Sequence, residues 1–444
     1  MMSKIRRPII TPPVQRVTLT HFLTRELVRQ GIKRFHRIAT HEGVENLPDE
    51  KCPMIFVSNH QNGLMDPMVV SGLLKPQLHW LTRADVFWNP FVRKYLMDCN
   101  GIPIYRQRDR LTDLKERNEI IWDCCTKRLE KGAVLSLFPE GNHKSQKTIR
   151  RLKRGLSDLI GLAVSRSEKL MGLKVIPVGI DYEDYPGYKR RLSFRIGNEI
   201  EWRDLYDVKT KRLDSLKLTA RVQSAMSKLA IDIRPSEMYD DLYPYVRAMN
   251  TSKAKGKEWG CILAELDRIA EAGKSEKWRS EVIDAAKNLR EYGFDNSMRS
   301  EPWGRDSINM SKKKVWAVLL TPFSWIANAP SAIQQYLINR RGDQIKALEF
   351  RSTLKVVSAM FIYPLSWTLI AILAGIYTPQ FWMGFLGVWT WATFGNRFYG
   401  WLQGHLHDHR DALEGRRFWE AEGNHDLRKA WTHYIKMIQK DIAS

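Results

Sequence analysis

The sequence predicts an α/β fold: a mostly parallel sheet with flanking helices, joined to a charged helical insertion and a C-terminal transmembrane helical hairpin. Three observations carry that prediction. Between residues 52 and 200, short apolar runs alternate with helical stretches, the pattern of strands separated by crossover helices. Residues 205–312 then turn polar and charged, rich in Lys, Glu, Ala and Arg. Finally, Val356 to Asn396 contains not one Asp, Glu, Lys or Arg.

Taken in order, residues 1–39 are read as an amphipathic N-terminal region. "TLTHFLTRELVRQGIKRFH" (18–36) places apolar side chains at helical spacing with basic residues between, which suits a surface helix or one lying on a membrane. Residues 40–204 form the α/β domain. Its expected strands are 54–58, 78–81, 102–105, 133–138, 174–180 and 192–196, and its expected helices are 64–74, 112–131 and 152–166. The accessory region, 205–312, has helical patterns near 211–232, 257–272 and 275–292 and no recognisable chemistry.

Residues 313–444 are read as the membrane region. The uncharged stretch 356–396 is too long for one helix across a hydrocarbon core, which takes about 20 apolar residues. "YTPQ" (377–380) divides it, so two crossings near 356–376 and 380–396 are expected, with a tail beyond. Arg340, Arg341, Lys346, Arg351 and Lys355 precede the hairpin, and Arg397, Arg410, Arg416 and Arg417 follow it. Positive flanks on both sides put the α/β domain and the tail on the cytoplasmic face. A further uncharged stretch, 315–339, carries Pro322, Pro330, Asn328, Gln334 and Gln335, which favour an interfacial or re-entrant segment over a clean span. An odd number of crossings would upset the topology.

Bulk composition narrows the partners. Lys and Arg exceed Asp and Glu by 22, which favours a phosphate-rich partner such as nucleic acid or an anionic lipid surface. No nucleic-acid module is recognisable, so nucleic acid is not expected as a partner. Five scattered cysteines (Cys52, Cys99, Cys124, Cys125, Cys261) show neither metal-ligand spacing nor CxxC pairing, which suits a reducing compartment. "MMSKIRRPIITPPVQR" lacks the apolar core of a signal peptide.

The chemistry-bearing residues begin with "SNHQNGLMDP" (58–67), which sets His60 and Asp66 after a strand, on a turn into a helix. A carboxylate on one imidazole nitrogen orients the ring and raises the basicity of the other nitrogen, which can then take a proton from a hydroxyl. Alone, the same two residues are equally a capped turn. Three further stretches stand with them. "NGIPIYRQRD" (100–109) delivers Arg106 to a strand end, "LFPEGNHKSQKTIRRLKRG" (137–155) joins a strand and a Gly turn to a basic run, and "VIPVGI" (175–180) is a buried strand with a central Pro.

In this order and spacing the four blocks resemble the glycerolipid acyltransferase family, over roughly residues 40–200. The resemblance implies that His60 is a general base on the acceptor hydroxyl with Asp66 as its orienting partner. Arg106 would bind the acceptor's phosphate. Glu140, Gly141 and Asn142 would shape the acceptor site, with backbone N–H groups of that turn near the oxyanion. Lys144, Arg150, Arg151, Lys153 and Arg154 would supply positive potential. The implied activity is transfer of an acyl chain from a thioester, on coenzyme A or acyl-carrier protein, to 1-acyl-glycerol 3-phosphate, with glycerol 3-phosphate or another lipid hydroxyl as the alternative acceptor. No metal and no cofactor beyond that donor is implied. An inactive lipid-binding protein is the remaining alternative. Two departures stand out: five residues rather than the common four separate His60 from Asp66, and Asn142-His143 replace the usual Thr-Arg.

"GHLHDHRD" (404–411) sets His405 and His409 on one helical face, but no third ligand is placed, and a juxtamembrane interfacial helix accounts for it.

Overall fold

The computed structural model describes residues 9–13, 18–48, 52–106, 109, 111–253, 259–294 and 315–440. They divide into two compact units. One runs to Ala230 and takes in Ile338–Phe361; the other holds Ile231–Leu337 and continues from Ile362.

The first unit is built on a seven-stranded sheet in the order β1-β7-β6-β2-β5-β3-β4. Its strands are β1 (Arg37–Glu42), β2 (Met54–Ser58), β3 (Leu78–Arg83), β4 (Gly101–Ile104), β5 (Val134–Leu137), β6 (Lys174–Tyr182) and β7 (Arg191–Ile196). β6, β2, β5, β3 and β4 run parallel, β7 is antiparallel to β6, and β1 is parallel to β7. The fold class read from the sequence is therefore the one observed.

Strand periodicity explains the layering. Along β2, Ile55 and Val57 enter one apolar cluster while Met54 and Phe56 enter the other. The first cluster packs the sheet against α4 (Leu114–Glu130), α5 (Gly155–Arg166) and α6 (Ser215–Ser227), through Ile121, Leu159 and Val222. The second packs it against α1 (Leu19–Phe35) and α2 (Met65–Leu73), through Ile32, Val69 and Val70. With both faces covered, β2 is buried throughout, as a central parallel strand must be.

Three features differ from the sequence reading. β1 was not expected, because "RIATHE" is polar and half exposed at the sheet edge. Helix α3 (Pro90–Asp98) was also missed, although Asn89 caps it by accepting from the N–H groups of Phe91 and Val92, with Pro90 opening the first turn. And the packing of the first unit continues beyond 204: Leu218, Val222 and Met226 of α6, four residues apart, join the core with Trp202.

In the second unit α7 (Tyr239–Lys253), α8 (Trp259–Ala272), α9 (Glu276–Glu291) and the closing helix His425–Lys440 share one core, which includes Leu242, Tyr245, Leu266, Trp278, Val282, Trp431 and Tyr434. The C-terminal tail thus packs with the accessory helices. The uncharged stretch folds as two helices, Leu348–Ile376 and Phe381–Glu420, broken at the expected turn. Among the described residues Leu348–Ile376 is the one helix both long and apolar enough to cross a membrane. Gly384, Gly387, Gly395 and Arg397 dilute the second arm. The 315–339 stretch breaks after Leu319 and continues as Thr321–Asp343.

Polar groups of these helices turn toward one another. Asn396 donates to Asn328 (3.1 Å), Asn328 to Gln335 (2.8 Å), and the Trp367 indole to Ser331 (3.0 Å). Trp325, Ile333, Leu365, Leu373, Trp382 and Phe394 are exposed. Satisfied polar groups inside and large apolar side chains outside are what a lipid solvent selects.

Gly179 lies where β6 meets the chain after α6: a Cβ there would stand 2.3 Å from the Leu229 carbonyl oxygen. Because the obstacle is backbone, Gly179→Ala should destabilise the first unit by about 1–3 kcal/mol, typical of overpacking. Thermal denaturation of the purified protein should show a lowered midpoint.

Candidate active site

The neighbouring parallel strands β2, β5, β3 and β4 each deliver a loop to the same, C-terminal edge of the sheet. His60 follows β2, Glu140 follows β5, Asp85 follows β3 and Arg106 follows β4. That edge is where open α/β sheets hold their ligands.

His60 and Asp66 meet. The His60 Nδ1 donates to Asp66 Oδ2 at 2.8 Å. The same oxygen accepts the backbone N–H groups of Gln61 (2.7 Å) and Asn62 (2.8 Å), and Oδ1 accepts the Tyr182 hydroxyl (2.7 Å). Burial and the neighbouring carboxylate push the Tyr182 phenol well above its usual range, so it stays protonated and remains a donor. Asp66 is 1% exposed, and a carboxylate buried to that degree is tolerated because these donors replace water. The separation of six positions is accommodated by a turn with Gly63 at φ +45°, after which Asp66 sits in the first turn of α2 and points back over the loop.

With Nδ1 donating to Asp66, Nε2 carries the lone pair. Among the described residues it has no hydrogen-bond partner, and the side chain is 15% exposed. The ring stacks on Phe138, with centroids 4.1 Å apart. A second histidine, His143, stands edge-on to it at 5.3 Å. Burial, then the nearby His60, hold His143 below the usual imidazole range.

The loop after β5 is tied to the same residues. Glu140 Oε1 accepts the His60 backbone N–H (2.9 Å), and its other oxygen pairs with Arg150. Arg150 also donates to the His60 carbonyl (3.0 Å) and to Asn142 Oδ1 (2.6 Å). Gly141 adopts φ +72°, and a Cβ there would meet Lys153 at 2.8 Å. Its N–H is engaged by the Phe138 carbonyl (3.0 Å), so it is not a spare oxyanion donor. Glu140, Gly141 and Asn142 thus lie beside His60 and shape the loop there.

Arg106 occupies a different setting. Its guanidinium pairs with Asp109 (3.2 Å) and approaches Asp85 (3.7 Å), which is itself held by Arg83. Its Nε is buried and has no hydrogen-bond partner among the described residues. Arg150 of the basic run is spent on Glu140, whereas Lys144, Arg151, Lys153 and Arg154 are exposed, with no ion pair among the described residues.

Sequence reasoning missed Tyr182 and Asn59, and marked His143 only as a departure from the usual Thr-Arg. Asn59 exchanges two hydrogen bonds with the backbone of Ile180 (2.9 and 2.8 Å), clamping the His60 loop to β6. Its place next to His60 was the available signal. Tyr182 lies two residues past the "VIPVGI" run and had none. Among the described residues no group of His, Cys, Asp or Glu could hold a metal ion.

Residues 38–181 match the family model described as Acyltransferase. The chain is 27% identical over 165 residues to a chloroplastic 1-acyl-sn-glycerol-3-phosphate acyltransferase of Arabidopsis thaliana, covering 36% of this chain and 43% of that one. It is 25% identical to a protein of the same description from Brassica napus (30% and 37% covered). A third, from Bacillus subtilis, is 24% identical (29% and 55% covered). The chain therefore spans roughly half the length of these curated relatives or less. A crystal structure of the 1-acyl-sn-glycerophosphate acyltransferase from Thermotoga maritima aligns at 17% identity with a TM-score of 0.34, over 46% of this chain and 78% of that one.

Glu140 makes the site sensitive to pH. Burial pushes its carboxyl up to about 7, against the pull of Arg150 and the His60 N–H. The folded state therefore keeps this proton to higher pH than the unfolded chain does. The stability it contributes is fully present below the ordinary value of 4.5 and is lost as pH rises through about 7. Glu140→Gln cannot ionise, so its melting temperature should fall less than that of the parent protein between pH 4.5 and 7.5, read by thermal melts across that range.

Proposed function

We propose that this chain, whose residues 38–181 belong to the Acyltransferase family, is a membrane-bound O-acyltransferase of phospholipid synthesis. It moves an acyl chain from a thioester to the hydroxyl of a 1-acyl-glycerol 3-phosphate. The observation that carries this reading is the His60–Asp66 pair, joined at 2.8 Å with Nε2 left open.

In the proposed reaction Nε2 of His60 takes the acceptor's hydroxyl proton as the oxygen attacks the thioester carbonyl. A C–O bond forms, the C–S bond breaks as the tetrahedral intermediate collapses, and the imidazolium returns its proton to the departing thiolate. Asp66 fixes the tautomer and stabilises the imidazolium, and no serine or cysteine nucleophile takes part. Lys144, Arg151, Lys153 and Arg154 provide exposed positive charge for a phosphate of acceptor or donor carrier, and Arg106 adds its partly exposed guanidinium.

The acceptor assignment is supported by the 1-acyl-sn-glycerol-3-phosphate acyltransferases that this chain resembles over part of its length. The apolar Leu348–Ile376 helix and the exposed apolar surface beside it support insertion in the membrane, and the basic flanks favour a cytoplasmic site. The donor is an acyl thioester of coenzyme A or acyl-carrier protein.

Purified membranes offered 1-acyl-glycerol 3-phosphate and glycerol 3-phosphate in parallel, with each donor, should acylate the first. Acylation of glycerol 3-phosphate alone would transfer the reading to that acceptor. His60→Ala should lower kcat by about 10²–10⁴-fold, the usual contribution of a general base, while the protein stays in the membrane fraction. Undiminished turnover in that variant would remove the mechanism. Arg106→Ala should chiefly raise the KM for the phosphorylated acceptor, measured by initial rates.

A further inference from the structure

The motif turn is touched by a segment that lies far beyond residue 181, where the family match ends. We propose that Glu349–Ser352, at the start of the apolar Leu348–Ile376 helix, is a positioning element of the acyl-transfer site and sets the His60–Asp66 geometry. This rests on the acyltransferase reading for its catalytic consequence.

Two lines of contact lead from this segment to His60. In the first, the Ser352 hydroxyl donates to Asn62 Oδ1 at 3.0 Å, with Ser352 and Asn62 both fully buried. Asn62 in turn gives its backbone N–H to Asp66 Oδ2 at 2.8 Å, the oxygen that holds His60. In the second, Phe350 packs edge-on against His143 at 5.1 Å, and Glu349 lies 3.6 Å from His143 Nδ1. His143 stands against the His60 ring.

Gly63, between Asn62 and the start of α2, has no space for a side chain here. A Cβ would stand 2.7 Å from the Glu349 carbonyl oxygen and 3.4 Å from the Phe350 ring. The turn is therefore confined on its outer side by the 349–350 backbone and ring. A polar bond between buried groups, ending on an amide that solvates Asp66, constrains direction as well as proximity. Packing of the same helix further along is plain apolar contact: Val356 and Met360 pack against α1 at Gly31.

That contrast supplies the control. In the full-length protein, Ser352→Ala should lower kcat about tenfold, leave the KM for the thioester donor unchanged, and shift the pH profile of kcat. Hydrogen exchange of the Gln61 and Asn62 amides, read by mass spectrometry on peptides covering 58–67, should become faster. Val356→Ala should lower the melting temperature while leaving kcat, its pH profile and those amides as in the parent. Parent-like kcat and exchange in Ser352→Ala would overturn the proposal, and so would Val356→Ala reproducing the whole Ser352→Ala pattern. If the parent protein transfers no acyl group to any acceptor offered, the acyltransferase reading falls. The exchange comparison then still decides whether the segment positions the turn.

Discussion

The candidate site depends on one buried carboxylate. Asp66 is almost fully removed from water, and an unsolvated carboxylate costs several kcal/mol unless donors replace its hydration. The fold brings those donors from separate places: two backbone amides from the motif turn, the His60 ring, and the Tyr182 hydroxyl at the end of β6. Hydrogen bonds to charged groups are each worth roughly 1.5–3 kcal/mol, so the set offsets the burial and fixes the turn at the same time. His60 can accept a proton in a defined direction because Asp66 has almost no freedom to move.

The same requirement explains why so many constraints converge on residues 59–63. Asn59 locks the start of the loop to β6, Glu140 and Arg150 hold His60's own N–H and carbonyl, and Ser352 holds Asn62. A turn one residue longer than the family's common form has more conformations to lose, and each of these bonds removes some of them. Gly63 permits the positive φ that the path needs. The added residue leaves the pair within hydrogen-bonding distance because Asp66 reaches back from a helix that begins almost immediately.

Much of this was legible in the sequence, and the parts that were not share a cause. Strands buried on both faces announce themselves as apolar runs, so β2, β5 and β6 were read close to their true limits. His60 and Asp66 were legible because their partners are local and their motif is distinctive. β1 is not legible because an edge strand needs no apolar run, and α3 is not legible because a nine-residue helix with almost no buried face carries no apolar periodicity, only its Asn89-Pro90 cap. Tyr182 and Ser352 could not be read at all. Their roles come from contacts spanning 116 and 290 positions, and a lone Tyr or Ser carries no pattern of its own. The first unit extends past 204 for a related reason: α6 lies in a polar, charged stretch of the chain, and only every fourth of its residues, Leu218, Val222 and Met226, enters the core.

Electrostatics then separates the cations that hold the site from those free to hold a substrate. Arg150 is paired with Glu140, and Arg83 and Arg106 share Asp85 and Asp109, so these guanidinium groups largely cancel charges the fold itself supplies. Lys144, Arg151, Lys153 and Arg154 form no close ion pair among the described residues, Arg154 only acting at longer range on Asp158, and they sit on the loop that borders His60. Exposed cations interact weakly through water, roughly 1 kcal/mol at 4 Å, but a phosphate drawn against several of them collects their potentials together. In the proposed reaction such a loop would attract the polar end of an anionic lipid without fixing its orientation. Orientation has to come from directional donors such as the Arg106 guanidinium, and from the apolar surroundings of the lipid chain. Recognition by attraction first and geometry second fits an acceptor that is charged at one end and apolar at the other.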